Sequence, residues 1–283
     1  MTMEDLDWNA VWIERQRRNS QSGRGGGCSQ TWMSEEAANK YWRRMMTGYG
    51  AQERLQDMLE SVRSDFRVLD IGAGPGNFTI PIAQKVKKVT VVEPADGMVS
   101  VLQNNIRNAG LNNIDIVHKK WDDVDSEIDL CPPYQFCFAS YSLGMSNLYE
   151  SIKKMLSATR GVILIYWHAG DQPYDKEAAY LWPLLHQKVF YPIPKSNVVF
   201  NVLYQMGIYP HVEPIFSTNT VSFSSFEEAM KEYHRRYDVQ TAEQENRLSD
   251  YLGTRLERQN GGYVITNQHY GMKIWWRNGE ERQ

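Results

Sequence analysis

The sequence predicts an α/β fold built as a three-layer sandwich, with helices on both faces of a mostly parallel sheet. From residue 67 onward, short apolar strand-like segments alternate with helix-like segments, a pattern typical of parallel strands joined by right-handed crossovers. One of these apolar segments ends at Asp70 and is followed by a glycine-rich turn that leads into a helix-like segment. The chain has 283 residues, 42% of them hydrophobic and 23% charged, which is enough for a large core.

Residues 1–60 are expected to form a helical extension. A short helix is predicted over 7–19 and a mobile glycine-rich loop over 20–29. A second helix is expected to begin near Ser34, because serine can cap a helix and two glutamates follow it. A third helix, over 51–63, presents an apolar face to the sheet.

Residues 61–283 are expected to form the main domain. Seven strands are predicted, at 67–71, 88–93, 114–118, 135–140, 161–167, 211–223 and 262–276. Helices are predicted at 77–86, 96–108, 147–157, 197–207, 225–237 and 242–258. An insert over 171–198 follows the fifth strand and is rich in aromatic residues. We predict that this insert forms a lid or pocket wall at the ligand-binding edge of the sheet.

The glycine-rich turn predicts a ligand site. Gly72, Gly74 and Gly76 follow Asp70 at alternating positions. Glycine has no Cβ and adopts positive φ readily, so a ligand can lie directly against such a backbone. In open α/β sheets, ligands bind beyond the carboxyl ends of the strands, and the turn lies at such an end.

An acidic residue followed by G-x-G-x-G resembles the first motif of the class I S-adenosylmethionine-dependent methyltransferases. The resemblance implies a Rossmann-like fold in which the sixth strand pairs with an antiparallel last strand. It also implies methyltransferase activity with S-adenosyl-L-methionine as the cofactor. The cofactor-binding residues that it indicates in this segment are Asp70, Gly72, Gly74, Gly76 and Asn77.

A nicotinamide- or flavin-binding Rossmann domain is the nearest alternative. Its G-x-G-x-x-G pattern needs glycine or alanine at position 77, where this chain has Asn77. A dinucleotide also places a pyrophosphate at this turn, where the nearby Asp70 is unfavourable. A sulfonium and an ammonium group are better suited to that acid.

The second strand ends at Glu93, 23 positions after Asp70. A carboxylate at the end of the neighbouring strand can accept hydrogen bonds from both ribose hydroxyls. The resemblance implies this role for Glu93, with Pro94 and Met98 packing near the adenine. A solvated glutamate at a strand end is the alternative.

After the third strand, Trp121 and Asp122 are the predicted adenine contacts. In the resembled family this loop often carries an acidic side chain, but here Lys119 and Lys120 come first. Trp121 could equally be a packing residue.

The ends of the fourth and fifth strands supply the remaining candidates. Ser140 is assigned to the cofactor site, and Tyr141 is a polar candidate for catalysis. His168 follows an apolar strand and is the best-placed general base, although a hydrogen-bonded histidine at a strand end explains it equally well. Methyltransferases that act on amino groups of bases often carry N-P-P-Y at the end of the fourth strand. Here Cys131-Pro-Pro-Tyr134 precedes that strand and is interpreted as a turn. This weakens the hypothesis that the protein methylates the amino group of a base. No metal site or catalytic triad is predicted.

Composition favours a small-molecule acceptor in a cytoplasmic protein. The net charge of −3 argues against an extended nucleic-acid surface, and no apolar run is long enough to span a membrane. Three cysteines without metal-ligand spacing and an N-terminus without a secretory signal fit a reduced compartment. The aromatic insert and the N-terminal helices, including Tyr41 as a cofactor-site residue, are expected to enclose the acceptor.

Two other functions stay open. An RNA or protein methyltransferase is suggested by N-terminal arginines at positions 15, 17, 18, 24, 43 and 44. A non-catalytic or regulatory protein that binds the cofactor is the other. Methyl transfer itself needs mainly in-line positioning of nucleophile, methyl carbon and sulfur, with a base only for a protonated acceptor.

Overall fold

The computed structural model describes residues 6–22, 32–47 and 50–279. Most of the loop predicted over 20–29, including Arg24 and Cys28, lies outside these residues. The N-terminal helices are α1 (Trp8–Gln21), α2 (Glu35–Thr47) and α3 (Ala51–Ser61). The first begins one residue later and ends two residues later than predicted, and Asp7 caps it by accepting a hydrogen bond from the Ala10 backbone N–H.

The alternating part of the chain follows the predicted order closely. Its elements are β1 (Arg67–Ile71), α4 (Thr79–Ala83), β2 (Lys88–Val92), α5 (Asp96–Asn108), β3 (Ile114–Val117), a 3₁₀ turn (Trp121–Asp123), β4 (Tyr134–Ser140), α6 (Leu148–Ala158) and β5 (Thr159–His168). Four of the five residues of β1 and of β2 are buried, as expected for strands covered by helices on both faces.

The C-terminal part holds the remaining elements. They are α7 (Pro173–His186), α8 (Ser196–Gln205), β6 (His211–Phe223), α9 (Phe226–Arg236), α10 (Ala242–Arg255), β7 (Glu257–Gln259) and β8 (Gly262–Asn278). The predicted helix at 242–258 ends three residues early, because Asn260 and Gly261 both take positive φ and form a tight turn between β7 and β8.

The sheet has the strand order β3-β2-β1-β4-β5-β8-β6, and β7 pairs with β8 outside this path. Strands β1 to β5 are parallel, and β8 is antiparallel to both β5 and β6. The predicted antiparallel last strand is thereby confirmed. The described residues contain one strand more than the seven predicted, the three-residue β7.

The strand order creates a crevice at the carboxyl ends of β1 and β4. From β1 the chain continues outward to β2 and β3, then returns to place β4 on the other side of β1. Connections on opposite sides of the sheet leave an open space at such a switch point. The glycine turn after β1 lies at this crevice.

Hydrophobic clusters cover both faces of the sheet, and a third cluster lies in the C-terminal part. In the third cluster, α7 from the predicted insert packs with α9 and α10. Trp182 of α7 is buried there. No helix within the described ranges is both long and apolar enough to cross a lipid bilayer.

Candidate functional site

The glycine turn after β1 has the backbone conformation that its sequence predicts. Gly72, Gly74 and Gly76 have φ of 76°, 57° and 95°. A Cβ at Gly72 would lie 2.3 Å from the Cβ of Ser142, so no larger residue fits there. At Gly74 the nearest atom is the Sδ of Met98, at 3.9 Å, so the backbone on that side is open to a ligand.

Asp70 stabilises the glycine turn through a contact with the helix that follows it. Its Oδ2 accepts a hydrogen bond of 2.6 Å from the Oγ1 of Thr79, the first residue of α4. The side chain is buried, and this burial raises the pKa of Asp70 to about 7. Asp70 therefore joins the end of β1 to the helix after the turn. Its direct contact with a ligand stays a prediction.

Glu93 joins the ends of β1 and β2. Its Oε2 accepts a hydrogen bond of 2.8 Å from the backbone N–H of Gly74, and its Oε1 accepts one of 2.9 Å from Ala95. Only 6% of Glu93 is exposed, and burial raises its pKa. Each carboxylate oxygen keeps a further lone pair for a hydroxyl donor. The alternative of a solvated glutamate does not fit this burial.

Helix α2 covers the turn and the start of α5. Ala38 is fully buried with Ala95 and Met98, and Trp32 and Tyr41 pack against this cluster. Burial raises the pKa of Tyr41. Tyr41 and Met98 therefore lie in one cluster, and Pro94 beside it is half-buried; their contact with a cofactor stays a prediction.

Asn77 joins the turn to α2. Its Nδ2 donates to the carbonyl oxygen of Trp42 at 3.4 Å. Its Oδ1 is buried and has no hydrogen-bond partner in the described part of the chain. A buried acceptor without a donor is costly, so this atom is suited to receive a ligand N–H or O–H.

Gly97, at the start of α5, is a close-contact position that the sequence analysis did not identify. A Cβ there would lie 2.5 Å from the backbone carbonyl of Ser34 and 2.7 Å from the carbonyl oxygen of Trp32. Glycine at this position lets the segment before α2 lie directly on α5. The Oγ of Ser100 also donates to a carboxylate oxygen of Glu35 across the same contact.

The two predicted adenine contacts make other contacts in the structure. Trp121 is buried in the core cluster, and its Nε1 donates to the carbonyl oxygen of Ser151 at 3.4 Å. The Oδ2 of Asp122 accepts from the backbone N–H of Ser146 at 2.9 Å. These contacts favour the packing interpretation of Trp121. Directly after β3, His118 contacts Asp96 of α5, with 3.1 Å between Nε2 and Oδ1.

Arg54 of α3 is a second residue that sequence reasoning missed. Its Nη1 donates to the Oγ of Ser140 at 3.0 Å, which brings α3 to the end of β4. Its guanidinium carbon lies 4.7 Å from the ring centroid of Tyr141 and 5.2 Å from that of Phe78. The sequence feature that could have identified Arg54 is its spacing. It lies three residues after Ala51 and four before Met58, so it shares a helix face with these two buried residues.

Tyr141 and His168 lie side by side at the ends of β4 and β5, with ring centroids 4.7 Å apart. The Tyr141 backbone has φ of 55°, and a Cβ at Gly271 would lie 2.1 Å from its hydroxyl. Gly271 of β8 thus leaves the space that the phenol occupies. The two residues predicted for catalysis are therefore neighbours.

His168 is held neutral. Burial, and then the neighbouring positive charge of Lys195, lower its pKa to about 3. Its Nε2 lies 3.4 Å from the hydroxyl of Tyr174 in α7. Lys195 itself forms a buried ion pair with Asp175.

Residues 68–160 match the family described as "Methyltransferase domain". A 62-residue segment is 45% identical to the 23S rRNA (uracil(1939)-C(5))-methyltransferase RlmD of Edwardsiella ictaluri, over 22% of this chain and 14% of that protein. A 109-residue segment is 32% identical to an uncharacterized protein of Haemophilus influenzae, over 38% of this chain and 39% of that protein. The chain thus spans well under two thirds of both curated relatives.

Among solved structures, the YcgJ protein of Bacillus subtilis is similar in fold. The two share a TM-score of 0.54 and 16% sequence identity, with 81% of this chain and 100% of that chain covered. At this identity the likeness supports the fold alone. It covers a larger share of the chain than the domain match does.

Proposed function

We propose that this chain, whose residues 68–160 match a methyltransferase-domain family, is a class I S-adenosylmethionine-dependent methyltransferase that transfers a methyl group from S-adenosyl-L-methionine to a small-molecule acceptor. The observation that carries the proposal is the position of Glu93. Two backbone amides hold its carboxylate beside the open face of Gly74, where a ribose would meet it.

The residues around the turn fit the cofactor. Glu93 would accept the ribose hydroxyls, and the buried Oδ1 of Asn77 would accept a donor of the ligand. Met98 and Tyr41 supply an apolar wall. When bound, S-adenosylmethionine would supply a methyl group on a positively charged sulfur, from which the neutral thioether of S-adenosylhomocysteine leaves readily.

The protein's part in catalysis is mainly positioning. Tyr141 and His168 border the end of the site at β4 and β5, and their packing would orient an acceptor and exclude water. A neutral His168 with a pKa of about 3 is a weak base. We therefore infer that the acceptor nucleophile needs no strong base, either because it is already ionised or because it carries a free lone pair.

The small-molecule acceptor is supported by the cover over the site. Helix α2 lies on the glycine turn and α5, and Tyr174 of α7 reaches His168. Such cover favours an enclosed acceptor over a polymer surface.

RNA is the second candidate acceptor, because one relative of the chain is named as a 23S rRNA methyltransferase. The N-terminal arginines weaken this candidate. Arg17 and Arg18 both pair with Glu14, at 2.8 and 2.7 Å. The carboxylate lowers the net positive charge that this surface could offer to phosphates.

The test is turnover to S-adenosylhomocysteine with the full chain against two acceptor sets, one of small metabolites and one of ribosomal RNA fragments. Methylation of small metabolites with RNA binding absent at low salt supports the proposal. Methylation of RNA alone, with binding that weakens steeply as salt rises, would replace the small-molecule acceptor by RNA. No cofactor binding and no turnover with either set would reject methyl transfer.

A further inference from the structure

Arg54 has unused hydrogen-bonding capacity inside the site. A guanidinium carries five N–H donors. Arg54 uses one on the carbonyl oxygen of Gly50 and one on the Oγ of Ser140, both at 3.0 Å. Both acceptors are neutral. Three donors therefore have no partner among the residues that the structure describes.

The guanidinium is half-buried among aromatic rings. The rings of Tyr141, Phe78 and Tyr166 lie 4.7, 5.2 and 5.8 Å from its central carbon. Aromatic faces attract the cation but cannot replace hydrogen bonds to its N–H groups. Burial accordingly lowers the pKa of Arg54.

Within the described ranges, no carboxylate forms an ion pair with Arg54. Asp57, one turn further along α3, accepts instead from the hydroxyl of Tyr166 and from the Nζ of Lys273. Asp57 is thus used by other donors, and no ion pair among the described residues compensates the positive charge of Arg54.

A half-buried arginine without an anionic partner is unfavourable, since the charge loses part of its hydration and gains no ion pair. The planar fork of N–H groups matches a carboxylate in two parallel hydrogen bonds. The fork of Arg54 lies between two parts of the site. Phe78 belongs to the glycine turn, and Tyr141 belongs to the proposed acceptor end.

We propose that Arg54 is an anion-binding residue that receives a carboxylate of a bound ligand between the glycine turn and Tyr141. This inference rests on the assignment of the site to methyl transfer. That assignment allows two sources for the carboxylate. One is the α-carboxylate of the cofactor's amino-acid end, and the other is a carboxylate on the methyl acceptor. Both need the same chemistry from Arg54.

The first experiment compares two probes on the full chain by calorimetry. One probe is S-adenosylhomocysteine, and the other is its decarboxylated analogue, which lacks only the α-carboxylate. The variants are Arg54→Met, which removes the charge, and Arg54→Lys, which keeps the charge without the fork. If the carboxylate comes from the cofactor, R54M weakens S-adenosylhomocysteine binding about 10- to 100-fold and leaves the decarboxylated analogue unchanged. R54K is expected to recover part of the loss.

The second experiment tests the acceptor as the source. Acetate and benzoate are added to the protein saturated with S-adenosylhomocysteine, and their binding is followed by saturation-transfer NMR. Binding to the wild type that R54M abolishes assigns the carboxylate to the acceptor. The matched control is Arg63→Met, since Arg63 is exposed and lies over Phe66 away from the site.

The inference is overturned if R54M changes neither the ratio of the two nucleoside affinities nor the binding of acetate and benzoate. Should the wild type bind no nucleoside, the methyl-transfer assignment fails separately. The carboxylate probes on the ligand-free protein then still decide whether Arg54 binds an anion. If R54M does not fold, the same comparisons are read from R54K, where an unchanged ratio and unchanged probe binding again overturn the inference.

Discussion

Glu93 accepts a hydrogen bond of 2.8 Å from the backbone N–H of Gly74, a residue 19 positions earlier in the chain. This bond ties the end of β2 to the open point of the glycine turn. It gives the carboxylate a fixed position and leaves lone pairs for a ligand.

Replacing Glu93 by alanine should weaken S-adenosylhomocysteine binding by about 1.5–3 kcal/mol, the usual value of a hydrogen bond to a charged group. E93Q should bind more tightly than E93A, because one amide oxygen can still accept from a backbone N–H. Calorimetry measures both affinities. Glu127→Ala, at an exposed position, is the control. Wild-type affinity in E93A would remove Glu93 from the cofactor site.

Gly97→Ala should displace the segment before α2 from α5, because the added Cβ would lie 2.5 Å from the Ser34 carbonyl. Overpacking of this kind costs about 1–3 kcal/mol. Hydrogen exchange of the backbone amides of residues 35–45 should therefore become faster. In the matched control Gly253→Ala, a Cβ meets no atom within 4 Å, and exchange in α2 should not change. Equal protection of α2 in G97A and wild type would contradict the contact.

Asp70 should make the protein less stable as pH rises from about 4 to 7. Its folded-state pKa, near 7, lies above the ordinary value of 3.8, so the native state holds the proton more strongly than the unfolded state in that range. Stability falls with pH wherever the native state binds more protons. Asp70→Asn, which cannot titrate, should lack this fall in stability with rising pH. Urea unfolding of both proteins at pH 4.5 to 7.5 gives the difference, and parallel curves would disprove the raised pKa.

His168 should act in the opposite direction. Its folded-state pKa of about 3 lies below the ordinary 6.5, so the unfolded state binds the proton more strongly between these values. This contribution to stability is present at neutral pH and is lost as pH falls through that window. The NMR shift of its Cε1 proton, assigned by comparison with H168N, should stay constant from pH 5 to 8. A titration near pH 6 to 7 would instead restore His168 as a general base.

The element order could be predicted because it depends on local pattern. The apolar periodicities predicted β1 at 67–71, α5 at 96–108 and β6 at 211–223 with the bounds that the structure has. Errors arose at element ends, where turns decide. The helix predicted over 77–86 is observed over Thr79–Ala83: Asn77 and Phe78 belong to the glycine turn, and residues 84–86 form a turn before β2.

Site residues could be predicted where the motif and the backbone requirement coincide. The glycines of the turn need positive φ, and the position of Glu93 follows from one strand–helix–strand repeat after Asp70. Trp121 could not be assigned in this way. Its sequence context allowed either an adenine contact or packing, and only the distant Ser151 carbonyl shows that it packs.

The sequence by itself determined the local structure: which segments are strands and helices, and which backbone positions must be glycine. These properties depend on residues near each other in the chain, through periodicity and allowed φ. Only the tertiary structure decided which distant groups meet. Arg54 reaches Ser140, 86 positions away, and the Ser34 backbone reaches Gly97. Such contacts depend on how whole helices pack on the sheet, and no short stretch of sequence specifies that packing.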